Sequence, residues 1–272
     1  MTNPQRNRKV SPRIWLSLAF LFVVMAPFPA ATADDDLART WAAALVFLPM
    51  IADGQGQRLE SIDPAALTAA ARTSPVMVHA HGCAGIDEVS THVGRALASR
   101  GWLVVQPDSF ARRHKPQSCD PLRNTGGLHR AVLGWRRAEI AHALDRLAEL
   151  GAADSRQVVL MGFSEGAIAV ATFTGRPVAA RIIEGWTCHA GWPEYRGLAA
   201  APNEPVLSLA GANDPWFTDP ALRGDCGAFM GQRQDSQSIV FDRPSPLHSQ
   251  HWLSHDHRAL GAILDFLARL RP

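Results

Sequence analysis

The chain has 272 residues, 47% of them hydrophobic, with 27 Lys and Arg against 25 Asp and Glu. Four of the basic side chains and none of the acidic ones lie in the first 33 residues, so the remaining 239 carry 23 basic against 25 acidic groups. That balance removes the concentrated basic surface that nucleic-acid binding needs, and the length suits one α/β domain with a sizeable core.

In chain order, Arg6, Arg8, Lys9 and Arg13 precede an almost unbroken apolar run from Ile14 to Met25, and Ala31-Thr32-Ala33 stand ahead of Asp34-Asp35-Asp36. A basic segment, a short apolar segment and a small-x-small sequence make a secretory signal peptide, cleaved after Ala33. The apolar run is shorter than the roughly 20 residues of a membrane-spanning helix. Residues 34–272 are therefore expected as a single domain without stable membrane insertion, periplasmic or secreted.

Residues 76–80 are a short apolar run ending in a His-Gly turn. Residues 87–100 carry Val89, Val93 and Leu97 at helical spacing, closed by Gly101. A strand follows at 102–106, and residues 107–127, rich in Pro, Arg, Asn and Gly, read as a long loop. An amphipathic helix is expected over 128–150, with Val132, Trp135, Ile140, Ala143, Leu144 and Leu147 on one face. The apolar run at 157–161 has the character of a central strand of a parallel sheet. Further strands are expected at 181–186, 205–210 and 238–242, and a last helix from about Asp256 turns Leu260, Ile263, Leu264 and Leu267 inward. Strands alternating with helices indicate an α/β fold, a mostly parallel sheet with helices on both faces. Ligands of such sheets bind at the carboxyl ends of the strands.

Four cysteines, Cys83, Cys119, Cys188 and Cys226, form an even count, which in an exported chain favours disulfides. Three pairings are possible. Cys83–Cys119 with Cys188–Cys226 is preferred, because each pair would tie together loops at the same ends of neighbouring strands. No CxxC or CxxH spacing supports zinc.

Gly162-Phe163-Ser164-Glu165-Gly166 is a GxSxG set directly between an apolar strand and an apolar helix (Ala167 to Ala171). A strand turning at once into a helix strains its central residue and projects the serine hydroxyl from the top of the sheet, with glycines on both sides leaving room. Ser164 is thus the candidate nucleophile; the plainer alternative is a serine that caps a helix. With HGCAG at 81–85, GFSEG at 162–166, GANDPW at 211–216 and a histidine-bearing loop before the last helix, residues 75–270 resemble the α/β-hydrolase superfamily, and within it the dienelactone-hydrolase-like branch. Enzymes from which that branch takes its name carry cysteine at the nucleophile position. Ser164 here implies hydrolysis of ordinary carboxylic esters or lactones.

A serine needs a base, and the base an orienting acid; the superfamily's chain order is Ser, acid, His. Asp214, on the loop just past an apolar strand, is the candidate acid, ahead of Asp219 and Asp225. His251 and His248 are the candidate bases, with His251 preferred for its spacing to the last helix. His255 and His257 sit at the helix start and read as surface residues. The oxyanion hole needs two backbone N–H donors: Glu165, after the nucleophile, and Cys83, with Ala84 as its alternative. Trp186, His189, Trp192, Trp216 and Phe217 are candidate walls of an acyl or alcohol pocket, or simply packing residues. The resemblance implies a small-molecule ester as substrate and no cofactor or metal. Competing readings are a metal-dependent hydrolase built on His79 and His81 or His255 and His257, a non-catalytic binding protein on the same fold, and a peptidase.

Overall fold

The computed structural model describes residues 33–50, 55–152 and 158–270. The expected leader lies, but for Ala33, outside the described residues. Helix α1 (Ala33–Ala42) leads into strand β1 (Leu45–Phe47), β2 (Gln57–Arg58), α2 (Pro64–Thr73), β3 (Val76–Ala80), α3 (Glu88–Ala98) and β4 (Leu103–Gln106). A small hairpin, β5 (Cys119–Asp120) and β6 (Thr125–Gly126), precedes the long helix α4 (Arg130–Glu149). Then come β7 (Val158–Phe163), α5 (Glu165–Ala171), β8 (Ala180–Glu184), β9 (Val206–Gly211), β10 (Gln237–Phe241) and α6 (His257–Arg269).

Eight strands form one sheet in the order β10-β9-β8-β7-β3-β4-β1-β2. All neighbours from β10 to β4 run parallel, while β1 is antiparallel to both β4 and β2. Side chains alternate across the sheet, which divides the apolar runs between two cores. Val76, Val78, Val158 and Leu160 pack with residues of α2, α4 and α5 on one face. Met77, Val104, Val159 and Met161 pack with residues of α3 and α6 on the other. A strand buried on both faces is predominantly apolar, which is why β3, β4 and β7 read as apolar runs; the buried polar side chains in β3 and β4, His79 and Gln106, lie against each other. Among the described residues no helix is long and apolar enough to cross a membrane.

The structure corrects several sequence expectations. β1 and β2 are too short to carry a readable pattern. The segment between β4 and α4 is not all loop: it holds a single 3-10 turn at Ser109–Ala111 and the β5–β6 hairpin. In α4 the inward face includes the charged Arg136 and Glu139, whereas Trp135 is exposed and lies under the Arg112 guanidinium. In α6 the buried positions are Ala259, Ile263, Phe266 and Leu267, with Leu260 and Leu264 only half-buried. Asp256 caps that helix through the Arg258 N–H.

Candidate active site

β7 runs in the middle of the sheet, between β3 and β8, and its carboxyl end turns within one residue into α5. That residue is Ser164, held at φ 56°, ψ −119°. Positive φ is costly for a residue with a Cβ and persists only where the surroundings impose it. The glycines of the motif explain how the turn is imposed. A Cβ on Gly162 would lie 2.4 Å from the Gly166 carbonyl oxygen, and one on Gly166 would lie 2.0 Å from that of Ala80. Without side chains at both positions, α5 closes onto the ends of β7 and β3. The Ser164 N–H donates to the Glu184 carbonyl at 2.9 Å, tying the turn to β8.

Asp214 stands just past the end of β9, where the sequence put the candidate acid, and is buried. Its Oδ1 accepts the Trp216 N–H at 2.9 Å and its Oδ2 lies 2.6 Å from His251 Nδ1. His251 Nε2 lies 2.8 Å from Ser164 Oγ. With Nδ1–H donating to the carboxylate, Nε2 carries the lone pair that accepts the serine proton. Three expected residues, from the ends of three segments far apart in sequence, thus form one continuous hydrogen-bonded chain.

His248 does not join it. The 3-10 turn Pro246–Ser249 directs its Nδ1 back to the Ser245 carbonyl, 2.8 Å away. His255 Nδ1 bonds the Trp252 carbonyl at 2.5 Å, and the His257 side chain is exposed. His79 and His81 are both buried in protein contacts. His79 Nδ1 meets Gln106 Oε1 at 3.2 Å, and burial depresses its pKa to about 4. His81 Nδ1 lies 2.7 Å from the Gly82 carbonyl oxygen, and its Nε2 accepts the Ser109 N–H at 3.2 Å. Burial and the neighbouring Arg136 hold that ring neutral, with a pKa well below the ordinary histidine value.

The residues expected as oxyanion donors flank the serine. Glu165 opens α5, and Cys83 follows the His81-Gly82 turn at the end of β3. Among the described residues neither backbone N–H is paired with an acceptor elsewhere in the protein. The disulfides are Cys83–Cys119, which ties the β3 loop to the β5–β6 hairpin, and Cys188–Cys226.

A pocket of about 30 Å³ beside Ser164 is walled by Ile168, Trp186, Phe217, Leu222 and Leu128. Across Leu128, Trp216 and Leu222 it adjoins a wider groove of about 330 Å³ along the β5–β6 hairpin. Of the aromatic candidates, Trp216 stacks on His251 at 5.2 Å and Phe217 meets the same ring edge-on at 5.8 Å. His189 and Trp192 stand apart, packed against Phe229 and under Arg130 respectively.

Sequence reasoning missed Glu184. Its Oε1 accepts the Leu253 and Ser254 N–H groups at 2.8 and 2.7 Å, anchoring the chain just after His251. Burial raises the pKa of this carboxyl. The signal was present as a carboxylate ending the otherwise apolar Ile182-Ile183 run.

A mostly parallel sheet flanked by helices, with a strand–serine–helix turn at its centre, is the α/β-hydrolase fold. Residues 63–241 match the profile of the dienelactone hydrolase family, and the chain belongs to that family of hydrolases. Solved structures of similar fold include a dienelactone hydrolase-like promiscuous phosphotriesterase from metagenomic libraries (20% identity, 72% of this chain and 86% of that one, TM-score 0.53). A putative dienelactone hydrolase from Klebsiella pneumoniae is 16% identical over 84% of this chain and 99% of the other, with TM-score 0.51. A serine hydrolase without a lid from Xanthomonas campestris is 15% identical over 84% and 89%, with TM-score 0.50. A search of curated proteins found no match.

Proposed function

We propose that residues 34–272 form a single-domain, exported serine esterase that cleaves carboxylic esters or lactones through an acyl-enzyme, without a cofactor. The observation that carries this reading is the continuous chain Ser164 Oγ, His251, Asp214, at 2.8 and 2.6 Å. Ser164 Oγ attacks the ester carbonyl while His251 Nε2 takes its proton. Asp214 holds the imidazole in the required tautomer and stabilises the imidazolium that forms. The negative charge developing on the carbonyl oxygen is received by the N–H groups of Cys83 and Glu165. His251 returns the proton to the leaving alkoxide, and a water molecule activated by the same ring hydrolyses the acyl-enzyme. The mainly apolar walls suit a small, uncharged acyl or alcohol group. Export draws its support from the basic–apolar–small leader pattern and from the engagement of all four cysteines in disulfides.

The test is labelling with a fluorophosphonate probe, which phosphonylates an activated serine. Wild-type protein is expected to label and to hydrolyse p-nitrophenyl acetate. Ser164→Ala is expected to lose both, leaving at most a residual rate some 10³–10⁴-fold above water from binding and the oxyanion hole. A folded wild type that does not label, or a Ser164→Ala variant that labels equally, overturns the assignment.

A further inference from the structure

The most unusual buried feature outside the hydrogen-bonded chain is an ion pair beneath it. Arg136 of α4 and Glu165 of α5 are each only 2% exposed. Arg136 Nη2 and Nε donate to Glu165 Oε1 at 3.0 and 3.3 Å. The same Nη2 donates to the Gly82 carbonyl at 2.9 Å, and Nη1 lies 3.0 and 3.1 Å from the two His81 ring nitrogens. The other Glu165 oxygen accepts the Ser118 hydroxyl. Ser118 adjoins Cys119, which is joined to Cys83. The contacts therefore close a ring: Arg136, Gly82, Cys83, the disulfide, Cys119, Ser118, Glu165 and back to Arg136.

Stability alone is a weak reason for such a pair. Desolvating two charges consumes most of their attraction, and apolar replacements of similar volume are often as stable or more so. Geometry is a better reason. In a planar trans peptide the C=O and the following N–H point in opposite directions. The Gly82 carbonyl is gripped by Arg136, by His81 Nδ1 at 2.7 Å and by the Gly85 N–H at 3.3 Å. Fixing that carbonyl fixes the Cys83 N–H on the opposite side of the same peptide plane. The same Nη2, together with Nε, grips the side chain of Glu165, whose own backbone N–H is the second proposed donor.

We propose that Arg136 is a positioning residue whose planar guanidinium, fastened to Gly82 and Glu165 together, sets the spacing and direction of the two oxyanion donors. This inference rests on the esterase reading given above. The fork of donors matters as much as the charge, because a lysine ammonium reaches as a single point and cannot stand at Nη2 while also supplying the Nε contact to Glu165 and the Nη1 contact to His81.

The test compares wild type, Arg136→Met, Arg136→Lys and Ser118→Ala, using p-nitrophenyl acetate as substrate and an aryl trifluoromethyl ketone as inhibitor. The ketone forms a bond to Ser164 Oγ; its carbonyl electron pair becomes the oxyanion, and the serine proton passes to His251. Its affinity therefore reads the donors directly. Arg136→Met is expected to lower kcat by on the order of 100-fold, the cost of ångström-scale misplacement at a reacting centre. KM should change little, and the inhibition constant of the ketone should rise by a similar factor. Arg136→Lys should fall between Met and wild type, and Ser118→Ala should shift kcat and ketone affinity together by a smaller factor. A purely structural role predicts a lowered melting temperature with kcat and ketone affinity intact per folded molecule, and that result overturns the proposal. If Arg136→Met does not fold, Ser118→Ala decides: unchanged kcat and unchanged ketone affinity refute the ring. The Ser164→Ala control separates the two readings, since full activity there removes the esterase assignment itself, whatever Arg136 does.

Discussion

Among single residues, the sharpest discrimination is between two histidines three positions apart. The His251 ring lies between Ser164 and Asp214 and is packed against Trp216 and Phe217. His248 is turned onto the Ser245 carbonyl. His251→Ala is expected to reduce kcat on p-nitrophenyl acetate by a factor on the order of 10⁴ or more, whereas His248→Ala should leave it nearly intact. Asp214→Asn should lower kcat by about 10⁴, because an amide donating to Nδ1 favours the wrong tautomer of an otherwise intact site. Steady-state kinetics on the three purified variants check this; a large loss in His248→Ala with little in His251→Ala would reverse the roles. Ser164 and Asp214 were legible in the sequence because each follows an apolar strand, and strand ends are where such a sheet presents its chemistry. For the histidine, spacing to the last helix favoured His251 but left His248 as an alternative. The position of His251 depends on how the loop folds, with a 3-10 turn capped by Ser245 before it and Glu184, at the carboxyl end of β8, anchoring the chain just after it.

At the level of elements, the sequence carried the strands and helices that are long and apolar, and lost those whose identity depends on partners. β3, β7 and β9 were visible as runs rich in Val, Leu and Met. β1 exists because β4 pairs with it, and three residues carry no periodicity of their own. The inward charges of α4 were equally hidden. Arg136 meets Glu165, and Glu139 meets Arg112 at 2.6 Å together with the Ser109 hydroxyl; none of these partners is near in sequence. The elbow is the opposite case, since its glycines report a close approach directly. Gly166→Ala would place a Cβ 2.0 Å from the Ala80 carbonyl oxygen and 2.6 Å from that of His81. Both obstacles are backbone, so α5 must shift away from β3, at a cost of about 1–3 kcal/mol or more. For a domain of this size each kcal/mol lowers Tm by roughly 2–4 °C. Gly261→Ala, on α6 with open space around its Cβ position, is the matched control and should be neutral or slightly stabilising. Equal melting temperatures for the two variants would mean that α5 and β3 are less tightly apposed than this packing requires.

For the molecule as a whole, buried neutral histidines link stability to pH. His79 lies in β3 with no exposed surface, and burial lowers its pKa from 6.5 to about 4. Above pH 6.5 the ring is neutral in both folded and unfolded chains and contributes no pH dependence. As pH falls below that value the unfolded chain takes up the proton first, so the folded state loses stability progressively until its own ring protonates near pH 4. His81, lowered for the same reason and by Arg136, acts in the same direction. Glu184 opposes them: its pKa is raised in the folded state, which then holds the proton more tightly, so acidification through that range favours folding. These opposed contributions make the overall acid profile a poor test, and a difference between two proteins a good one. His79→Asn retains a side-chain N–H for the Gln106 oxygen that His79 Nδ1 meets at 3.2 Å, but has nothing to titrate. Between about pH 7 and pH 4.5 the wild type should therefore lose roughly 2 kcal/mol more unfolding free energy than His79→Asn. Urea unfolding of both oxidised proteins at the two pH values measures that gap. Parallel losses would show that His79 takes up its proton equally readily in the folded chain, and that its burial in β3 is not as tight as the packing around Gln106 implies.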